Sequence, residues 1–298
     1  MDLDDLHLAV VIAREGSLAA AAQVTGVSQP TLSKAVARLE RKTKVQLFER
    51  LARGMRPTEI GRAFFERGER IDLAAADLYA ALRDLRQARA GVLRIGLGQG
   101  VPDHWLLPLL QELSADGVRL DISGGMPDVV LPRVALGEIE FALMGQSGPP
   151  GAPYAWQPLR DDPIQPLAPL DHPLARARRS PGWEQLAAAR WIVPPPGTAT
   201  RDDFERNFAE HGYTVEPAVV SRSTQREAPM ALALGALILV PRSKHEEPAV
   251  RAAFAPVTPP GGWHSPRRVA LVWREGGYLS PAAQRAMKLL RRTVGTPR

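Results

Sequence analysis

Ser28-Gln29-Pro30-Thr31-Leu32-Ser33-Lys34-Ala35-Val36-Ala37-Arg38-Leu39-Glu40-Arg41-Lys42 is the stretch from which the rest of the chain can be read. Ser28 is a good N-cap, its hydroxyl suited to accept from an amide of the first turn. Pro30 fits that turn, where its missing N–H is no loss. Leu32, Ala35, Val36 and Leu39 recur at helical spacing as one apolar stripe. Ser33, Lys34, Ala37, Arg38 and Arg41 fall on the other side, so the outer face is basic rather than mixed. On its own this would be an ordinary surface helix.

The preceding residues change that reading. Asp4 to Glu15 predicts a helix with Leu6, Ala9, Val10 and Ala13 on one face. Gly16 ends it, and Ser17 caps an alanine-rich helix from Leu18 to Thr25. Gly26-Val27 then turns into Ser28. Two short helices joined by a Gly-containing turn form a helix-turn-helix, whose second helix enters the DNA major groove. Beyond it, Val45 to Arg50 alternates like a strand and Arg53 to Pro57 makes a turn and a return strand, together a β-wing. Between Ser28 and Arg56 eight cations (Lys34, Arg38, Arg41, Lys42, Lys44, Arg50, Arg53, Arg56) stand against two anions (Glu40, Glu49), an excess of +6 that equals the net charge of the whole chain. The excess sits where phosphates would be met.

Residues 1–60 resemble the N-terminal domain of LysR-type transcriptional regulators. The motif runs Gly16-Ser17-Leu18 with Ala21-Ala22, then Val27-Ser28-Gln29-Pro30, Leu32-Ser33, Leu39-Glu40, Leu47-Phe48-Glu49-Arg50 and Pro57-Thr58-Glu59 followed by Gly61. The expected DNA contacts are Ser28, Gln29, Pro30, Thr31, Ser33 and Lys34 at the recognition helix. Gln29 has the amide to bond adenine, Lys34 the ammonium to meet guanine and Thr31 a methyl for thymine. Arg38 is expected at phosphate, and Arg50, Arg53 and Arg56 at backbone or minor groove.

A chain of 298 residues with 45% hydrophobic content has material for about two domains. The absence of any run of about 18 apolar residues argues against a membrane span, and the acidic start Met1-Asp2-Leu3-Asp4-Asp5 argues against a secretory signal. Zero cysteines remove thiolate metal sites and disulfides, and the six histidines show no ligand spacing, so no metal or cofactor is expected. A cytoplasmic protein is the simplest expectation.

Thr58 can cap a proline-free helix reaching Arg89, on which Ile71, Ala75, Leu78, Leu82 and Leu85 form an a/d seam. That seam would serve equally for packing within one chain. A helix of about 30 residues spans roughly 45 Å, however, a length without a partner in so small a domain. The expectation is therefore a dimerising linker helix over 58–89, and two-fold symmetry suits a DNA reader of two half-sites.

From Gly91 the composition shifts: only Lys244 and Lys288 remain of the lysines, and prolines become frequent. Strands at 92–97, 118–123 and 141–144 alternate with helices at 102–113 and 128–136, predicting a parallel sheet with crossover helices. After a Gly/Pro-rich loop at 145–153, a second α/β unit runs from about Leu159 to Pro266. In it, Thr200 to Asp203 is expected to open a helix, and Thr224 with Glu227 to form a capping box. Val269 to Trp273 and a C-terminal helix close the chain. Ligands bind such sheets at the carboxyl ends of the strands. The expected ligand contacts are Gln99, Gly100, Val101, Gly125 and Met126, with Gly197, Thr198, Thr200, Ser223 and Thr224 from the second unit. Helix N-termini would suit an organic anion, with Arg201, Arg222 or Arg226 as counter-charge.

This region also resembles the LysR-type family, through Leu93-Arg94-Ile95-Gly96, Leu106-Leu107-Pro108, Gly137-Glu138-Ile139-Glu140, His172-Pro173-Leu174-Ala175 and Gly235 to Pro241. The resemblance implies a periplasmic-binding-protein-like effector domain over 91–298, with subdomain I at 91–160 plus 267–298 and subdomain II at 161–266. An inducer would occupy the cleft between them. It also implies a dimer of dimers on interrupted palindromic operators in double-stranded DNA, often in contact with RNA polymerase. Two competing readings are a dinucleotide-dependent oxidoreductase and a ligand-independent DNA binder. Gly96, Gly98 and Gly100 after a strand, with Asp121 further on, suggest the first, but Val101 stands where the third glycine of that fingerprint belongs. The lysine-poor C-terminal region argues against the second. The expectation is a transcriptional regulator, not an enzyme.

Overall fold

The computed structural model describes residues 2–51, 54–86 and 92–295, without the side chains of Arg50, of 83–86 and of 224–225. The chain divides into two compact units, Met1–Arg86 and Gln87–Arg298.

The first unit begins with α1 (Leu3–Glu15), α2 (Leu18–Thr25) and α3 (Gln29–Thr43). Asp2 caps α1 by accepting from the Asp4 amide, and Ser17 caps α2 by accepting from that of Ala20. Gly16 (φ 71°) and Gly26 (φ 70°) end these helices in the left-handed conformation that side chains resist. The stripe Leu32, Ala35, Val36 and Leu39 is buried, and Leu32, Val36 and Leu39 pack in one core with Leu6, Ala9, Val10 and Ile12 of α1. Ser28 is the N-cap residue of α3 but makes no capping bond to the backbone. Pro30 removes one of the two amides a cap can reach, and the Ser28 hydroxyl instead pairs with Thr31 Oγ1 at 2.9 Å.

The wing is a two-stranded antiparallel ribbon, β1 (Phe48–Leu51) and β2 (Gly54–Pro57), with Glu49 opposite Arg56. Its strand begins later than Val45 because Glu40 Oε1 accepts from the amides of Leu47 (2.7 Å) and Phe48 (3.1 Å), holding that segment as a loop. Met55 donates to the Gly16 carbonyl at 2.8 Å, and a Cβ on Gly54 would lie 2.6 Å from that oxygen. The wing thus packs onto the first turn of the helix-turn-helix. Thr58 caps α4 (Glu59–Arg86) by accepting from the Gly61 amide.

The second unit has two five-stranded sheets. The first contains β3 (Val92–Gly98), β4 (Arg119–Gly125), β5 (Phe141–Gln146), β6 (Tyr154–Asp161) and β12 (Arg268–Arg274) in the order β4-β3-β5-β12-β6. It carries α5 (Asp103–Ala115), α6 (Pro127–Ala135) and α13 (Pro281–Gly295). The second contains β7 (Ile164–Pro169), β8 (Trp191–Val193), β9 (Val219–Val220), β10 (Leu237–Pro241) and β11 (Phe254–Pro256) in the order β11-β7-β10-β8-β9. It is accompanied by α7 (Pro173–Arg176), α8 (Trp183–Ala187), α9 (Ala199–Ala209), α10 (Thr224–Leu234), α11 (Arg242–His245) and α12 (Pro248–Arg251).

Neither sheet is wholly parallel, contrary to the expectation from alternation. β12 runs antiparallel to both β5 and β6, because the chain re-enters the first sheet after passing through the second. β7 likewise opposes β10 and β11. Sequence reading missed β6 and β7 because Pro158, Pro163, Pro166 and Pro169 punctuate them. β6 is an edge strand, where proline is tolerated, and the register shifts between Val269 and Ala270, opposite the Pro158 stretch.

Two strands of chain link the sheets side by side. Asp162 donates its amide to the Arg267 carbonyl (2.8 Å) and Ile164 to that of Ser265 (3.0 Å). Beneath them Arg267 Nη1 meets Asp162 Oδ2 at 2.6 Å, with both side chains nearly inaccessible. Ser243 completes the carboxylate shell, donating from its amide (2.8 Å) and its hydroxyl (2.9 Å).

A candidate DNA-binding face and a ligand cleft

In the first unit, packing decides which side of α3 faces outward. Ser28, Gln29, Pro30, Thr31 and Lys34 are exposed and Ser33 is half-buried. Among the described residues Lys34 makes no ion pair. Arg38 is different. Its Nε donates to Asp5 Oδ2 at 2.9 Å and its Nη2 to the other oxygen of that carboxylate. That hydrogen bond holds the Asp5 carboxyl below its ordinary value. Arg38 therefore ties α3 to α1, with its side chain still 47% exposed. A separation of 33 positions along the chain hid this pair from sequence reading. On the wing, Arg56 pairs with Glu49 at 3.1 Å, both well exposed. Such surface pairs are worth about 0–1 kcal/mol and exchange readily for a phosphate. Arg53 lies outside the described residues, as do the side chains of Arg50, Leu85 and Thr224. Along α4, Ile71 (42%), Leu78 (60%) and Leu82 (42%) are exposed, and Ala75 is half-buried.

In the second unit, a cleft of about 460 Å³ opens where the ends of β3 and β5 face the N-terminal turns of α9 and α10. Gln99, Gly100, Met126, Gly197, Thr198 and Thr200, all expected at the ligand, line it. Val101, Gly125 and Ser223 do not. Val101 packs against the core of the first sheet. Gly125 ends β4 against Val129 of α6, and the Ser223 amide donates to Ser221 Oγ within a local turn.

Two caps are also corrected. Thr198, not Thr200, caps α9 by accepting from the Arg201 amide. Asp203 is buried and accepts from Ser265 Oγ at 2.7 Å. Thr224 is the first residue of α10 rather than its cap, which moves Glu227 out of capping register. Glu227 instead lines the cleft at 5% exposure, with no hydrogen bond or ion pair among the described residues. Burial raises its carboxyl to about 8. Gln146, in the same lining, has its Nε2 buried without a partner among the described residues.

The cations expected as counter-charges are engaged or elsewhere. Arg201 bonds Glu205. Arg222 reaches Asp128 at 3.2 Å, and its carbonyl accepts from Gln99 Nε2 at 2.8 Å, joining the two lips of the cleft. Arg226 is not part of the lining. Arg267, missed by sequence reading, lines the floor but is committed to Asp162.

A winged helix-turn-helix together with a two-sheet, cleft-bearing domain defines a class of ligand-responsive DNA-binding proteins, and comparison with known proteins narrows it. The family model for bacterial regulatory helix-turn-helix proteins of the lysR family matches residues 3–62, and that for the LysR substrate binding domain matches 86–295. The chain belongs to the LysR family of transcriptional regulators. It is similar to the RuBisCO operon transcriptional regulator of Allochromatium vinosum, 29% identical over 289 residues, covering 95% of this chain and 93% of the other. It also resembles the HTH-type transcriptional regulator CbbR of Rhodospirillum rubrum, 26% identical over 299 residues, covering 99% and 97%. Among solved structures, a full-length OxyR variant from Pseudomonas aeruginosa shares the fold at a TM-score of 0.61 and 24% identity, covering 100% of this chain and 99% of that one. The protein is thus a DNA-binding transcriptional regulator with an effector-binding domain, and its relatives are named as regulators rather than enzymes.

Proposed function

We propose that two copies of this chain, joined through α4, set paired α3 helices on an interrupted palindromic operator in double-stranded DNA. A small molecule in the cleft modulates that binding. Gln29, Thr31, Ser33 and Lys34 read base edges, with Ser28 and Pro30 setting the helix start at the backbone and Arg50, Arg53 and Arg56 meeting phosphates or the minor groove. The observation that carries this reading is the exposure of Gln29, Pro30, Thr31 and Lys34 on α3, with Lys34 free of any ion pair among the described residues, on a helix whose other face is buried. The apolar stripe Ile71, Leu78 and Leu82, open to solvent in a single chain, supports dimerisation, with Ala75 and Leu85 completing the seam. Assembly as a dimer of dimers and contact with RNA polymerase follow from the resemblance to the family. A cytoplasmic location fits this role, and among the described residues no helix is long and apolar enough to cross a membrane.

A ligand modulates such a protein only by binding one arrangement of the subdomains better than another. The exposed Ala199, at the cleft wall, gives a way to block it. Fluorescence anisotropy on a promoter fragment tests both halves. Lys34→Ala should weaken binding about 5- to 150-fold, the equivalent of a lost base contact of about 1–3 kcal/mol. Ala199→Trp should bind the fragment normally yet lose any response to a low-molecular-weight cell extract. Unchanged affinity in the first variant removes Lys34 from the interface. An unchanged response in the second removes the cleft as the effector site.

A further inference from the structure

The charges around the cleft bear on what it holds. Four ionisable side chains line it among the described residues: Asp128, Arg222, Glu227 and Arg267. Arg267 is spent on Asp162 in a pair whose side chains are 9% and 1% exposed. Arg222 is spent on Asp128. Of these four, Glu227 alone has no partner among the described residues, and it is nineteen-twentieths buried.

We propose that the cleft is built for a ligand carrying a cationic nitrogen, a primary ammonium or a guanidinium, seated on Glu227. This rests on the reading of the cleft as the effector site and specifies the chemistry of its occupant. A carboxyl this buried is costly to ionise without a counter-charge, which the described side chains around it do not supply. Burial is what raises its titration, and no cation among the described residues holds it ionised. A ligand ammonium supplies what is missing, and Glu227 then gives up its proton to solvent and pairs with it as a carboxylate.

An anionic ligand meets the opposite situation. Arg267 cannot leave Asp162 without stranding a buried charge. The exposed Arg222 is the one lining cation that could be drawn away from its partner, since surface pairs are weak. An anion held there would still leave Glu227 unpaired beside it. The buried Gln146 Nε2 calls for an acceptor, which an oxygen elsewhere on the same ligand would provide.

The test compares two probes of similar size and opposite charge, n-butylammonium chloride and sodium pentanoate. Each is added at about 50 mM and equal ionic strength to the full-length protein at pH 7.5, and the melting temperature is read. The amine is expected to raise it by about 2 °C, as a weak fragment occupying most sites would. Pentanoate should leave it unchanged, and Glu227→Gln should abolish the amine's effect. The wild-type comparison stands even if that variant folds poorly. A shift with pentanoate alone, an amine shift that persists in Glu227→Gln, or no shift with either probe overturns the charge assignment. Pentanoate stabilisation that disappears in Ala199→Trp would overturn that assignment while sparing the cleft. An amine shift that survives Ala199→Trp would instead overturn the cleft reading itself.

Discussion

Replacing Glu227 by glutamine should stabilise the ligand-free protein, and by an amount that depends on pH. In the folded chain the carboxyl titrates at about 8 against an ordinary glutamate value of 4.5. Below 4.5 both folded and unfolded chains hold the proton and the group contributes nothing to the difference. Between 4.5 and about 8 the unfolded chain releases its proton while the folded chain keeps it, so folding loses stability as pH rises. At about 1.4 kcal/mol per pH unit, the accumulated cost is roughly 1 kcal/mol at pH 5 and about 4 kcal/mol at pH 8. Glutamine keeps the shape and never ionises, so the variant escapes this cost. Its advantage over wild type should therefore grow by about 3 kcal/mol from pH 5 to pH 8. Urea unfolding followed by tryptophan fluorescence reads the relevant unit, because all six tryptophans lie between Trp105 and Trp273. Parallel stability–pH curves for the two proteins would refute the reasoning, since they would mean that Glu227 is solvated or partnered in the fold.

Two further outcomes follow from the packing. Arg267→Met strands the Asp162 carboxylate, which is 1% exposed, and should cost about 3–5 kcal/mol in the same unfolding assay. The double variant Arg267→Met with Asp162→Asn should regain part of that loss, whereas equal losses would show that the pair does not act as a unit. On α4, Leu78→Glu places a charge at the most exposed position of the stripe and should shift the assembly toward monomers in sedimentation velocity. An unaltered distribution would move the dimer contact elsewhere.

The chain order of the helix-turn-helix was legible because the boundaries of its first two helices are set by residues next to them, whereas the start of the wing strand depends on Glu40. Asp2 and Ser17 cap their own helices, Gly16 and Gly26 end them, and the stripe Leu32, Ala35, Val36 and Leu39 follows from a 3.6-residue repeat. The family motif over 1–60 agreed with those signals. In the second unit Gln99, Gly100, Met126, Gly197, Thr198 and Thr200 stand at strand ends and helix starts and line the cleft. Their place follows from where a crossover sheet puts its loops.

What the sequence alone determined was this local grammar of caps, periods and turns, together with the basic outer face of α3. Tertiary structure decided everything that depends on a partner distant in the chain. It turned Arg38 toward Asp5, 33 residues away. It joined Arg267 to Asp162 across 105 residues, and it made both sheets mixed, by returning β12 to the first and by setting β7 against β10 and β11 in the second. It also took Glu227 from a plausible capping box and buried it in the cleft wall, without a partner among the described residues. The physical reason is common to all four. Capping and periodicity act over a few residues, whereas desolvation and ion pairing depend on which surfaces the completed fold brings together.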